Sequence, residues 1–318
     1  MEKLNQSGVL SETCRITGIS YHQKLFASPA PDGGVPGMVV LINGIGLDRD
    51  GFLPFFEHIS LPSIRLAYCY KTYAHLAVTV PGFEESANPR ADSLYSMDKQ
   101  AALLEEFIRE RVQELRPGKI VLYSFSYGSD LMVPLLALLV EDGRIQPLLA
   151  RMVVAEINVS ASSCFITSRI RAALEGVQTL PATQRMRGAH TQFFDAVLKA
   201  YRFGEISTGL MADLADYFTA IITKNWYQLA SNSREVTTAP ENRIWHLFTL
   251  LKRIPDTDLD FVFSDPADIK GFAALRAKSG MAFPWLRVLD ETSQEHFFHI
   301  KKEGILRNLN RPSAGLGR

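Results

Sequence analysis

The sequence predicts an α/β protein: a mostly parallel sheet with helices on both faces and an inserted helical lid. Three observations carry that expectation. Short, continuous, β-branched runs such as "MVVLI" (38–42) and "KIVLY" (119–123) suit strands covered on both faces. Segments with apolar residues at helical spacing alternate with these runs, as the crossovers of a parallel sheet require. Between residues 160 and 254 the strand signal fades, and helical periodicity with many aromatics replaces it.

Residues 14–28, "CRITGISYHQKLFAS", alternate loosely enough for one or two antiparallel strands, and "PAPDGGVPG" after them is a turn cluster. The run "MVVLI" ends in "NGIG", which opens a loop with two glycines. "AHLAVTV" (74–80) reads as the next strand, closed by "PGFEESANP", and Ser96 to Leu115 has helical spacing with Pro117-Gly118 as its stop. "KIVLY" then leads into an apolar helix, and "RMVVAEINV" (151–159) is a further buried strand. After the helical segment the strand pattern returns in "DLDFVFSD" and "WLRVLDE"; "EHFFHIKKEGILRNL" reads as a last helix and "NRPSAGLGR" as a frayed tail. The expected organisation is a core over 1–159, a lid insertion over 160–254 and the rest of the core over 255–318.

Composition bounds the function. A chain of 318 residues with 47% hydrophobic content can bury a large core. The 34 basic and 34 acidic residues cancel, so no global field favours nucleic acid or an anionic membrane as partner. The longest apolar run, Leu131 to Val140, is about half of the ~20 residues a membrane span needs. The N-terminus "MEKLNQSGVLSETCR" has no apolar core for a secretory signal. Cys14, Cys69 and Cys164 are widely separated, with neither a disulfide framework nor metal-type spacing. These features fit a cytoplasmic protein, with no cofactor or metal expected.

The joint after "KIVLY" carries chemistry. In "YSFSYGSD" a serine, Ser126, stands at a strand-to-helix turn, with small residues Ser124 two before it and Gly128 two after it. A serine hydroxyl attacks a carbonyl only when a base takes its proton and N–H donors meet the oxyanion. A tight turn lifts the serine into the open and sets the next N–H at a helix N-terminus, where negative charge is favoured. The bland alternative is a polar turn with Ser126 as an N-cap.

Several blocks in order resemble the α/β-hydrolase superfamily. "VVLINGIGLDRDGFLPFF" is similar to its strand and oxyanion loop, "VTVPGFEESANP" to its Pro-Gly-x-Gly-x-Ser loop, "YSMDKQAALLEEFI" to the helix before the elbow strand, and "VLYSFSYGSDL" to the nucleophile elbow. Asn43 stands where His is common, Thr79 where many relatives carry Asp, Glu85 where a second Gly is usual, and Ser124 where the elbow usually has Gly. The resemblance implies an acid and a histidine after the serine, in that order. Asp265, just past the apolar run of "DLDFVFSDPADI", is the expected acid, with Asp268 as competitor and Glu156 ranked behind because it sits within an apolar strand. His296, at a loop-to-helix junction, is the expected base, ahead of His299 in the same "HFFH". An H-x-x-H metal site is disfavoured, since no third ligand is evident and H-E-x-x-H is absent.

The expected mechanism has His296 take the proton of Ser126 as it attacks an ester or thioester carbonyl. Asp265 orients the imidazole, and the N–H groups of Ile45 and Tyr127 hold the oxyanion. Aromatic residues of the lid could line an acyl or aryl pocket, although most would pack a small core of their own. Arg169, Arg171, Arg185 and Arg187 form a local basic excess that could receive a carrier-protein- or coenzyme-A-bound acyl group, or simply be a solvated face. The layout also resembles bacterial acyl-transferases and thioesterases. Two rivals stand beside the acyl hydrolase: a small-molecule receptor whose catalytic set has decayed, and a lyase or isomerase on the same fold.

Overall fold

A computed structural model describes residues 8–25, 37–83 and 94–312. Most of the turn cluster 29–37, Glu85 with most of its loop, and the tail from residue 313 lie outside the described residues. Among the described residues eight strands form one sheet: β1 (Leu10–Thr13), β2 (Ser20–Lys24), β3 (Met38–Ile42), β4 (Ala74–Val78), β5 (Ile120–Phe125), β6 (Leu149–Ala155), β7 (Asp258–Phe263) and β8 (Leu286–Asp290). Their order is β1-β2-β4-β3-β5-β6-β7-β8. The edge pairings β1/β2 and β2/β4 are antiparallel, and every pairing from β4 across to β8 is parallel. The strands β3, β4 and β5 are buried along their whole length, which is why they read as unbroken apolar runs.

Between β3 and β4 run α1 (Leu53–Ser60) and α2 (Pro62–Ala67). α3 (Met97–Leu115) leads to β5, and α4 (Tyr127–Leu139) to β6. Five helices follow before β7: α5 (Phe165–Glu175), α6 (Ala182–Arg202), α7 (Thr208–Ile221), α8 (Trp226–Thr237) and α9 (Pro240–Leu251). α10 (Pro266–Ser279) joins β7 to β8, and α11 (Lys302–Leu309) closes the chain. The chain steps outward from β3 to β4, then returns past β3 to β5 and continues to β8. With right-handed crossovers this reversal puts α1 on one face and α3, α4 and α10 on the other. Packing of α1 on α11, and of α3 on α4, fits that division. The reversal also makes a crevice beyond the C-terminal ends of β3 and β5, where open α/β sheets hold their ligands.

Local chemistry sets the boundaries. Ser96 Oγ accepts the Lys99 N–H at 3.2 Å to start α3, and Arg116, left-handed at φ 45, ends it ahead of Pro117. At the opposite end of the sheet from the crevice, β6, β7 and β8 share a buried ion network. Arg151 donates to Asp260 at 2.6 Å, Arg287 donates to the same carboxylate at 2.6 Å, and Arg151 also reaches the carbonyls of Asn308, Leu309 and Arg311. The C-terminal segment is thereby tied to the sheet.

The five helices between β6 and β7 rest on the core through polar contacts. Gln100 of α3 donates to Asn232 of α8 at 3.2 Å and to the Pro81 carbonyl at 2.6 Å, while the Tyr127 hydroxyl donates to Gln100. Arg243 of α9 pairs with buried Asp130 of α4 at 3.2 Å. Among the described residues no helix is long and apolar enough to cross a membrane.

Candidate active site

The strand β5 ends at Phe125 and α4 begins at Tyr127, so Ser126 alone makes the turn. Its φ is positive, 51, with ψ −119, a conformation a β-carbon disfavours by roughly 1–3 kcal/mol. The hydrogen bond from Ser126 N–H to the Ala155 carbonyl, 2.8 Å, fixes the turn from beneath. Its side chain makes no capping bond to α4, so the N-cap alternative finds no support.

The small residues flanking it answer to space. A β-carbon on Gly128 would stand 2.6 Å from the Asn43 carbonyl oxygen and 2.7 Å from that of Ile42. Only glycine lets α4 approach the end of β3 this closely. Ser124 is fully buried, and its hydroxyl donates to the Val153 carbonyl at 3.3 Å and accepts from Ser129 at 3.0 Å. The serine that departs from the usual glycine is thus paired behind the elbow, not crowded by it.

The loop after β3 is braced from two sides. Asn43 accepts the Gly44 N–H and donates to the Asp48 carbonyl, both at 3.0 Å, and Thr79 Oγ1 accepts the Arg49 N–H at 3.0 Å. The residues that stand in for His and Asp therefore hold loop backbone. From above, the Tyr217 hydroxyl of α7 donates to the Ile45 carbonyl at 2.6 Å. The N–H of Ile45 has no acceptor among the described residues. That of Tyr127, first in α4, has none within its helix.

His296 opens a short 3-10 turn, His296–Ile300, and its ring packs on Phe125, the residue before Ser126, with centroids 5.0 Å apart. Its Nδ1 lies 3.2 Å from Glu156 Oε2. The expectation that Asp265 braces this histidine is corrected: the Asp265 carboxylate accepts the Ala267 N–H at 2.7 Å and caps α10. Proline at the first position of α10 and an acidic residue before it are cap chemistry. In the sequence the apolar run Arg151 to Val159 reads as one strand, which hides the position of Glu156. In fact β6 stops at Ala155, Glu156 turns at φ 59, and Ile157 and Val159 are buried loop residues. The available signal was position: Glu156 follows the last strand residue, as the expected acid should.

A chain of hydrogen bonds holds this carboxylate. The Tyr123 hydroxyl donates to the His299 carbonyl, and Asn308 Nδ2 donates to the Tyr123 oxygen and to His299 Nδ1, both at 3.2 Å. With Nδ1 accepting, the neutral ring carries its proton on Nε2, which lies 3.2 Å from Glu156 Oε1, off the line of an ideal hydrogen bond. The Ser264 N–H donates to the same oxygen at 2.7 Å. Burial opposes ionisation of Glu156, but the contacts from His296 and His299 outweigh it and bring its carboxyl down to about 2. His299 is fully buried behind the acid, away from the cavity wall.

Ser126, Glu156 and His296 line one cavity of about 470 Å³, with Asp265 and Asp268 on the same wall. Of the arginines in the lid, Arg169 pairs with Glu205, Arg171 with Glu175, and Arg185 with the Leu180 carbonyl.

No protein-family model matches the chain, and no curated protein matches it. Solved structures do. One is a variant of AqdC with its substrate, described for recognition and ring-cleavage of the Pseudomonas quinolone signal: 14% identity, TM-score 0.58, covering 95% of this chain and 98% of that one. A second is a thermophilic esterase from Thermogutta terrifontis, at 14% identity and TM-score 0.55, with 94% and 97% coverage. A third is an α/β-hydrolase enzyme from a Medee basin deep-sea metagenome library, at 12% identity and TM-score 0.55, with 95% and 98% coverage. The chain has the α/β-hydrolase fold. At such identities the likeness concerns fold alone, and within this fold the elbow, the loop after β3 and the turn bearing His296 meet at the crevice between β3 and β5.

Proposed function

We propose that this protein is a serine-dependent acyl hydrolase that cleaves an ester or thioester through an acyl-enzyme. Ser126 is the nucleophile, His296 its base and then the acid for the leaving group, and Glu156, in place of Asp265, orients the imidazole and stabilises the imidazolium. The N–H groups of Ile45 and Tyr127 receive the oxyanion. Water activated by His296 then attacks the acyl-enzyme, releasing the acid and regenerating Ser126.

The observation that carries this reading is Ser126 at positive φ, free of capping bonds and facing the same cavity as a histidine whose other ring nitrogen is held by a buried carboxylate. Strained backbone of this kind persists where the surroundings over-determine it, and Glu156 is strained in the same sense. A packed structural turn has no need of two N–H groups that lack acceptors among the described residues beside a half-buried hydroxyl facing a cavity. Turnover of short para-nitrophenyl esters and acyl thioesters tests the proposal: wild type hydrolyses them and Ser126→Ala does not. Equal turnover by the two proteins rejects the acyl-enzyme.

A further inference from the structure

The cavity before Ser126 has a charge imbalance that the acyl-transfer machinery does not use. Among the described residues its lining includes Glu156, Glu205, Asp265, Asp268 and Glu295, no lysine or arginine, and His296 as its one basic side chain. Four of these carboxylates have a structural partner. Glu156 is engaged by His296, Glu205 pairs with Arg169 at 3.3 Å, Asp265 caps α10, and Glu295 accepts from Ser207, the N-cap of α7.

Asp268 is different. It is 8% exposed, it lies on the cavity wall, and the hydroxyl of nearby Ser163 donates to the Ser160 carbonyl at 2.8 Å. No lysine or arginine of the described residues pairs with it. The titratable groups that face it are Asp265 at the start of its own helix, Glu156 after β6, and Cys164 ahead of α5. Burial first, then the charges of Asp265 and Glu156, push its carboxyl up to about 7. An acid so placed is costly to ionise in the empty protein, and a cation in the cavity removes that cost.

We infer that the substrate carries a cationic group, an ammonium or quaternary ammonium, with Asp268 as its counter-ion in the cavity. The inference rests on the reading of Ser126 as the nucleophile. It follows that substrates bearing a carboxylate or phosphate close to the reacting carbonyl meet a repulsive wall.

Two matched series of esters test this. On the acyl side, para-nitrophenyl esters of ε-aminocaproate, heptanoate and adipate place an ammonium, a methyl and a carboxylate at equal reach. On the alcohol side, acetylcholine is compared with its neutral tert-butyl isostere. In at least one series kcat/KM for the cation should exceed that for the neutral ester by about tenfold or more at low ionic strength. That ratio, which compares two esters at the same pH, should fall as pH drops below about 7 and Asp268 takes up its proton. In Asp268→Asn, or in Asp268→Ser should the first not fold, the ratio should approach one at every pH. A ratio at or below one in both series, or one that Asp268→Asn leaves unchanged, overturns the inference.

Failure of the nucleophile reading looks different, because the neutral esters would then be untouched or turned over equally by Ser126→Ala. Calorimetric titration of Ser126→Ala with hexyltrimethylammonium and with hexanoate examines the charge preference without any turnover. Tighter binding of the cation supports it, and equal or tighter binding of the carboxylate refutes it.

Discussion

Ser126 and Glu156 share an unusual backbone feature: both have a positive φ, 51 and 59, and neither is glycine. Each turns sharply at the C-terminal end of a buried strand, which carries its side chain to the rim of the sheet. Glu156 is then held by three groups, the Ser264 N–H, His296 and His299. Its folded carboxyl, at about 2, lies below the ~4.3 of an unfolded glutamate. Its contribution to stability is therefore complete above about pH 4.3 and is lost as pH falls through about 2. The two candidate acids are separable by mutation. Glu156→Gln should reduce kcat by roughly 10⁴-fold, the cost of a misoriented triad histidine. Asp265→Asn keeps a side-chain oxygen for the Ala267 N–H and should cost kcat far less. Steady-state kinetics on one neutral ester would show the order, and a larger loss for Asp265→Asn would contradict the assignment.

Among the elements, the parallel strands were the most legible in the sequence, because a strand covered on both faces leaves an uninterrupted apolar run. The start of α3 at Ser96 and its stop ahead of Pro117 were legible too, since cap and breaker are local chemistry. The end of β6 was not. Ile157 and Val159 are as buried as strand residues, so hydrophobicity continues past the last β residue and hides the turn that exposes Glu156. Nor could sequence show that Asn43 and Thr79 brace the loop after β3, for those bonds join chain segments distant in sequence or depend on loop geometry. The network of Arg151, Asp260 and Arg287 was likewise invisible, being defined by strand order. Asp260 is fully buried between two guanidinium groups, which makes its charge indispensable to both. Asp260→Asn should destabilise the fold by about 3–5 kcal/mol, the usual consequence of leaving a buried charge unpaired. Urea unfolding measures it, and a loss under about 1 kcal/mol would mean that the arginines find other partners.

At the scale of the whole molecule, two opposite edges of one sheet are put to different uses. The N-terminal edge of β6 to β8 is cemented by ions and by the carbonyls of the C-terminal segment. The C-terminal edge carries the strained serine, the strained glutamate and the histidine turn, and the helices from α5 to α9 stand over it. Those helices are connected to the core by specific bonds, Arg243 to Asp130, Tyr217 to the Ile45 carbonyl and the Gln100 network. A balanced total charge of 34 acidic and 34 basic residues conceals an acidic cavity, because net charge says nothing about where the charges converge. The resemblance in block order anticipated the fold; the contact between Glu156 and His296 and the acidic lining of the cavity emerged only from the folded chain. Covalent labelling decides whether Ser126 is an activated nucleophile. After treatment with a fluorophosphonate, intact-mass analysis should find a single adduct on the wild type, located at Ser126 by peptide mapping. Ser126→Ala should remain unmodified, and Glu156→Gln should label far more slowly. An adduct of equal extent on Ser126→Ala, or a wild-type protein that stays unlabelled under conditions that saturate other serine hydrolases, would contradict it.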